Sequence, residues 1–109
     1  MRINGKMWIV RAVDAKNRHL TRSDGEYVLG ACDNAEKTIW VRDDLTGRML
    51  DKVLLHEITH AFCFEYHVTF DIDTEEIICD YIATYARNII NTTDKIFKEY
   101  MRYGYAEIA

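Results

Sequence analysis

The stretch "LLHEITHAF", residues 54–62, constrains this chain more than any other. It sets His56 and His60 four residues apart, with Glu57 directly after the first. On a helix, positions i and i+4 share one face, one turn apart. Two imidazoles so placed reach a single Zn²⁺ at about 2.0–2.1 Å. Glu57 projects to the side, where it reaches a water on the ion without ligating the ion itself. The neighbours Leu54, Leu55, Ile58, Thr59, Ala61 and Phe62 are all uncharged, as expected of a helix buried on most sides. The bland alternative is a core helix with two hydrogen-bonded imidazoles. Burying two histidines and an acid without partners is costly, which favours the metal.

The surrounding pattern places this motif on the first helix of the chain. Leu45, Met49, Leu50, Val53, Leu54, Ile58, Ala61 and Phe62 recur at helical spacing, so the helix should run to about Tyr66. Asp43, Asp44 or Thr46 can cap it. Ahead of it, residues 6–14, 27–33 and 37–43 read as strands, with a polar segment and an Asp24-Gly25 turn between the first two. The link at 34–36 is too short for a crossover, so the last two strands should form an antiparallel hairpin. Residues 67–73 read as a loop. Thr74, followed by Glu75 and Glu76, then opens a second helix that reaches about Ile90. Asn91-Thr92-Thr93-Asp94 reads as a break and a fresh cap, with a third helix ending near Gly104. Strands first and helices after imply an α+β domain over 1–109. A small antiparallel three-stranded sheet is followed by about three helices, and the motif helix is central.

Composition excludes several classes. Apolar residues make up 49% of the 109 and charged residues 29%, mixed in sign, so the chain can bury a core and is not of the disordered type. A net charge of −4 without a basic stripe argues against a nucleic-acid partner. No apolar run approaches a membrane span, and the N-terminus has no signal-peptide architecture, so no membrane partner and a cytoplasmic location are expected. Cys32, Cys63 and Cys79 form no CxxC pair and read as small core residues rather than a disulfide framework.

Two histidines do not complete a catalytic zinc site, which usually takes three protein ligands and a water. The candidates are His67, Glu75, Glu76, Asp71, Asp73, Asp80, Cys63 and Cys79. His67 lies seven residues after His60 with no glycine for the bend, which makes it a poor ligand. Glu76 opens the next helix, and Asp80 follows on the same face. Glu76 is therefore the expected third ligand. Asp80 is the expected acceptor of the free ring N–H of His56. Glu75 is the alternative ligand if the helix phase is shifted by one residue. The bland reading of these acids is a solvated helix start. His19 and His67 read as surface or loop residues. Tyr66, Tyr81, Tyr85, Tyr100, Tyr103 and Tyr105 read as core and rim.

"HEITH" followed by "TEEIICDYIATYA" resembles the gluzincins, thermolysin-like zinc peptidases in which a second helix supplies a glutamate ligand. It looks most like the small ImmA/IrrE-type metallopeptidases, in particular compact versions encoded by phages and mobile elements. "LGACDNAEKTIWVRDDL" also resembles the strand and turn that precede their motif helix. The likeness covers roughly residues 25–90, and its HExxH piece is the specific part. It implies a minimal zincin-like fold, His56, His60 and Glu76 as zinc ligands, and Glu57 as catalytic acid/base. The chain departs from that pattern in its adjacent Glu75-Glu76 pair, and the regulatory domain of larger members is not expected in it.

The expected activity is zinc-dependent hydrolysis of a peptide or protein substrate, with strand 37–42 as a sheet edge on which the peptide docks. Two rivals stand beside it. One is a metal-binding module without turnover. The other is a deformylase-like hydrolase with Cys32 as a ligand.

Overall fold

The computed structural model describes residues 1–104; Tyr105, expected on the rim, lies outside them. The first expected strand is divided at Trp8. Strand β1 (Arg2–Ile3) and strand β2 (Lys6–Met7) pair antiparallel as a small ribbon, and strand β3 (Ile9–Val13) enters the main sheet. The chain changes partner there: the Trp8 N–H donates to Met1 C=O at 2.8 Å and the Ile9 N–H to Lys37 C=O at 3.1 Å, while the fully buried Trp8 indole N–H donates to Glu65 Oε2 at 2.6 Å. Strands β4 (Gly30–Asp33) and β5 (Thr38–Arg42) form the expected antiparallel hairpin, with Ala31 opposite Trp40 and Cys32 opposite Ile39.

The main sheet is mixed, not antiparallel. Its order is β3-β5-β4, and β3 runs parallel to β5. A parallel pairing needs a long crossover, and the polar segment after β3 supplies it. That segment is not featureless. Its 3₁₀ turn, Arg18–Leu20, buries Leu20 completely and stacks His19 on Trp40 with ring centroids 3.7 Å apart. His19 is thus packed rather than free on the surface.

The central place of β5 corrects the docking expectation. Strand 37–42 is paired on both sides and offers no edge. The free edge beside the helices belongs to β4. Leu29 C=O accepts the Arg42 N–H at 3.1 Å, so by alternation Gly30 and Cys32 turn their N–H and C=O groups outward.

Helix α1 (Gly47–Glu65) packs on one face of the sheet, where Ile39 and Val41 meet Val53 and Ala61. Its first residue has φ +56°, which is why a glycine stands there. Gly30 has a different purpose. A Cβ there would lie 2.6 Å from Val53 Cγ1 and 3.1 Å from Glu57 Cγ. Without one, β4 rests directly against the motif helix.

Helix α2 (Ile72–Tyr103) packs along α1 through buried Cys79 and Ala83. Its cap is Asp71, not Thr74: the Thr74 N–H and hydroxyl donate to the two Asp71 carboxylate oxygens, each at 2.9 Å. The expected break at 91–94 is absent, so the second and third expected helices are one. With no Gly or Pro in the stretch, nothing forces an end. Thr93 returns its hydroxyl to Ile89 C=O at 2.7 Å instead of capping a new helix. The described residues form an α+β fold with two sheets and two α-helices. No described helix is long and apolar enough to cross a membrane.

Candidate metal centre

Helix α1 presents His56 and His60 on the face that meets the start of α2. Their rings stand nearly edge to face, with centroids 5.0 Å apart. The Asp71 cap fixes the phase of α2, and that phase delivers three carboxylates to the two rings. Each carboxylate has its own position. Asp80 Oδ1 lies 2.8 Å from His56 Nδ1. Glu75 Oε2 lies 2.5 Å from His60 Nδ1. Glu76 spans the remaining nitrogens, with Oε2 at 3.3 Å from His56 Nε2 and Oε1 at 2.7 Å from His60 Nε2.

This division of labour has a chemical consequence. A carboxylate at Nδ1 takes that nitrogen's proton in a hydrogen bond and leaves the Nε2 lone pair free. Two lone pairs and a carboxylate then face one another at 2.7 and 3.3 Å. Such an arrangement needs positive charge among the three, either a proton or a metal ion.

The fourth carboxylate is Glu57. One ligand atom from each of His56, Glu57 and His60 falls within a sphere of mutual separation of 4.8 Å, so these three could hold an ion. Two carboxylates therefore compete for the third ligand position. Glu76 has the shorter approach, because it touches both Nε2 atoms, whereas Glu57 makes none of the ion pairs that hold Glu75, Glu76 and Asp80 on the rings. Glu57 is buried, and burial pushes its carboxyl above the ordinary 4.5, partly offset by the two imidazoles and by Arg22. A carboxyl so raised holds a proton more readily than an exposed one.

The donor set suits zinc: two imidazole nitrogens and carboxylate oxygen. Donors about 2.0–2.1 Å from a tetrahedral ion stand about 3.3–3.4 Å apart. Glu76 meets the rings through different oxygens, Oε2 at 3.3 Å from His56 Nε2 and Oε1 at 2.7 Å from His60 Nε2, so its carboxylate must turn and withdraw by a few tenths of an ångström to set one oxygen at that spacing from both.

Cys32 lies near this group but not in it. Its thiol is pushed up to about 12, chiefly by burial and next by the Glu57 charge. Cys63 and Cys79 are buried in the packing of α1 and α2, as expected. His67 stands exposed in the turn after α1, with φ +55°.

Two clefts open beside Glu57. One, of about 430 Å³, is bordered by Arg22, Gly30, Met49, Lys52 and Val53 together with His56. The other, of about 220 Å³, is bordered by Cys32, His60, Phe64, Ile72 and Glu75. Sequence reading singled out neither Arg22 nor Lys52. Arg22 sits beyond the bridge between Thr21 and Tyr27, its N–H bonded to Glu26 C=O at 2.8 Å. The Asp24-Gly25 turn marks that hairpin, but nothing local says that it reaches the metal site. Compared with known proteins, the chain matches no family model, no curated protein and no solved structure.

Proposed function

We propose that this chain is a zinc-dependent metallopeptidase of minimal zincin-like build. His56, His60 and Glu76 are the ligands, and Glu57 is the acid/base. One observation carries the reading: both Nε2 atoms face a single carboxylate while each Nδ1 is taken by another. When bound, zinc would polarise the scissile carbonyl and acidify the attacking water. The other steps belong to the chain's own residues. Glu57 accepts a proton as the water oxygen bonds to the carbonyl carbon. It returns that proton to the amide nitrogen as the C–N bond breaks. Its burial supports this role, because a raised carboxyl pKa moves the base toward working pH. Asp80 and Glu75 orient the rings and raise their basicity. The substrate is a peptide or protein segment, added to the outward N–H and C=O groups of Gly30 and Cys32 on β4.

The two clefts flanking Glu57 favour turnover over a closed metal module. Glu76 meets both rings, and Cys32 is outside the described residues whose ligand atoms gather within 4.8 Å, which favours a glutamate over a deformylase-like cysteine ligand. The test incubates zinc-loaded protein with a peptide library and reads products by mass spectrometry. Wild type is expected to cleave, and Glu57→Gln to keep zinc and lose cleavage. Retained hydrolysis in Glu57→Gln would overturn the assignment.

A further inference from the structure

The two clefts beside Glu57 differ in chemistry. The larger holds Arg22 and Lys52, both exposed and neither in an ion pair with another described residue. Of the three acids on that cleft, Glu76 and Asp80 are turned to the histidines and Glu57 is buried, and none of them makes an ion pair with Arg22 or Lys52. Arg22 borders the same cleft as His56 and Glu57, which places it on the working side of the site. The smaller cleft is apolar at its far end, where Phe64 and Ile72 stand partly exposed.

Strand β4 runs from the first cleft to the second, since Gly30 borders one and Cys32 the other. A peptide added antiparallel, the more stable pairing, runs the opposite way. Its N-terminal part then lies over Cys32, Phe64 and Ile72, and its C-terminal part over Gly30, Arg22 and Lys52.

We propose that this groove selects a chain with an apolar residue before the scissile bond and a carboxylate after it, read by Arg22 and Lys52. The inference rests on the peptidase reading for the kind of molecule in the groove. The carboxylate is either an Asp or Glu side chain or the free end of the substrate.

The test has a binding arm and a cleavage arm. The probe is a fluorescein-labelled nonapeptide with leucines in its first half and glutamates in its second. Comparison peptides carry Gln or Lys for Glu, the reverse order of halves, or an amidated C-terminus. Anisotropy is read on zinc-loaded Glu57→Gln protein, with and without the Arg22→Glu/Lys52→Glu pair of changes. A milder Arg22→Gln/Lys52→Gln pair guards against misfolding, with circular dichroism as the check. The expected result is binding of the Glu peptide about five- to tenfold tighter than the Gln peptide, abolished by either pair. Tighter binding of the Glu than of the Gln peptide assigns the carboxylate to the side chain, whereas equal binding of the two that amidation weakens assigns it to the chain end. Equal binding of Glu, Gln and Lys peptides that amidation leaves unchanged, or a preference unchanged in both paired variants, would overturn the proposal. Wild-type cleavage of the same peptides separates the two claims. Cleavage without charge preference sinks the groove inference alone. Charge-selective binding without cleavage sinks the peptidase reading and leaves the groove standing.

Discussion

Replacing Gly30 by alanine tests how closely β4 lies on the motif helix. The new Cβ would stand 2.6 Å from Val53 Cγ1, 3.1 Å from Glu57 Cγ and 3.3 Å from the Trp40 carbonyl oxygen. Carbon atoms in good contact are about 3.5–4.0 Å apart, so the overlap with Val53 is about 1 Å. The backbone carbonyl on the other side blocks a simple retreat. Gly30 is not in the left-handed region, so alanine meets no backbone strain, and the change reports space alone. Overpacking costs about 1–3 kcal/mol, and the stiffer unfolded chain returns about 0.4–1 kcal/mol. The clash wins, leaving a net loss of about 1–2 kcal/mol, or about 4–16 °C in melting temperature for a domain of this size. Val53→Ala alone removes two methyl groups and costs about 1.6 kcal/mol. In the double variant the alanine at 30 occupies the vacated space, so the losses should fall short of additive by about 1 kcal/mol. Urea unfolding of the four metal-free proteins supplies the cycle. A neutral Gly30→Ala, or strict additivity with Val53→Ala, would refute the close approach.

Glu75→Gln and Asp80→Asn should each weaken zinc binding about 10- to 100-fold, read by competition with a chromophoric chelator; unchanged affinity would deny their hold on the rings. The folded-state pKa of Glu57 is raised, so in the metal-free protein its contribution to stability is present below pH 4.5 and is lost as pH rises through the folded value. The stability advantage of Glu57→Gln over wild type should therefore grow from pH 4 toward neutrality, and a pH-independent difference would contradict the burial. Unbroken α2 predicts helical Cα shifts through residues 91–94 by NMR, where a break would give coil values.

What sequence revealed here was mostly local. His56, Glu57 and His60 share a helix because their spacing matches its period, and the β4–β5 hairpin follows from a short link. Which acids reach the rings depends on the phase of α2. That phase turns on a cap three residues from a residue able to do the same job: Asp71 and Thr74 both suit an N-cap, and only the fold shows Thr74 donating to Asp71. Asp80 was legible as the partner of His56 because it follows Glu76 by one helical turn. Glu75 suits a ligand by sequence, yet it meets the Nδ1 side of His60. Strand order was not legible, since the parallel β3–β5 pairing joins residues far apart in the chain. Asn91-Thr92-Thr93-Asp94 suits a cap and also an exposed helix interior, and Thr93 back-bonding to Ile89 accommodates the second. Arg22 reached the site through a hairpin and a crossover, neither of which carries a metal-site signature.

The most direct test of the centre is zinc content after dialysis against a weak chelator, measured by plasma mass spectrometry on wild type, His56→Ala, His60→Ala and Glu76→Gln, with circular dichroism as a fold check. The expected result is a single equivalent of zinc in wild type, little or none in the two alanine variants and a marked loss in Glu76→Gln. A folded wild type that retains no zinc, or equal zinc in all four proteins, would contradict the shared-ion site.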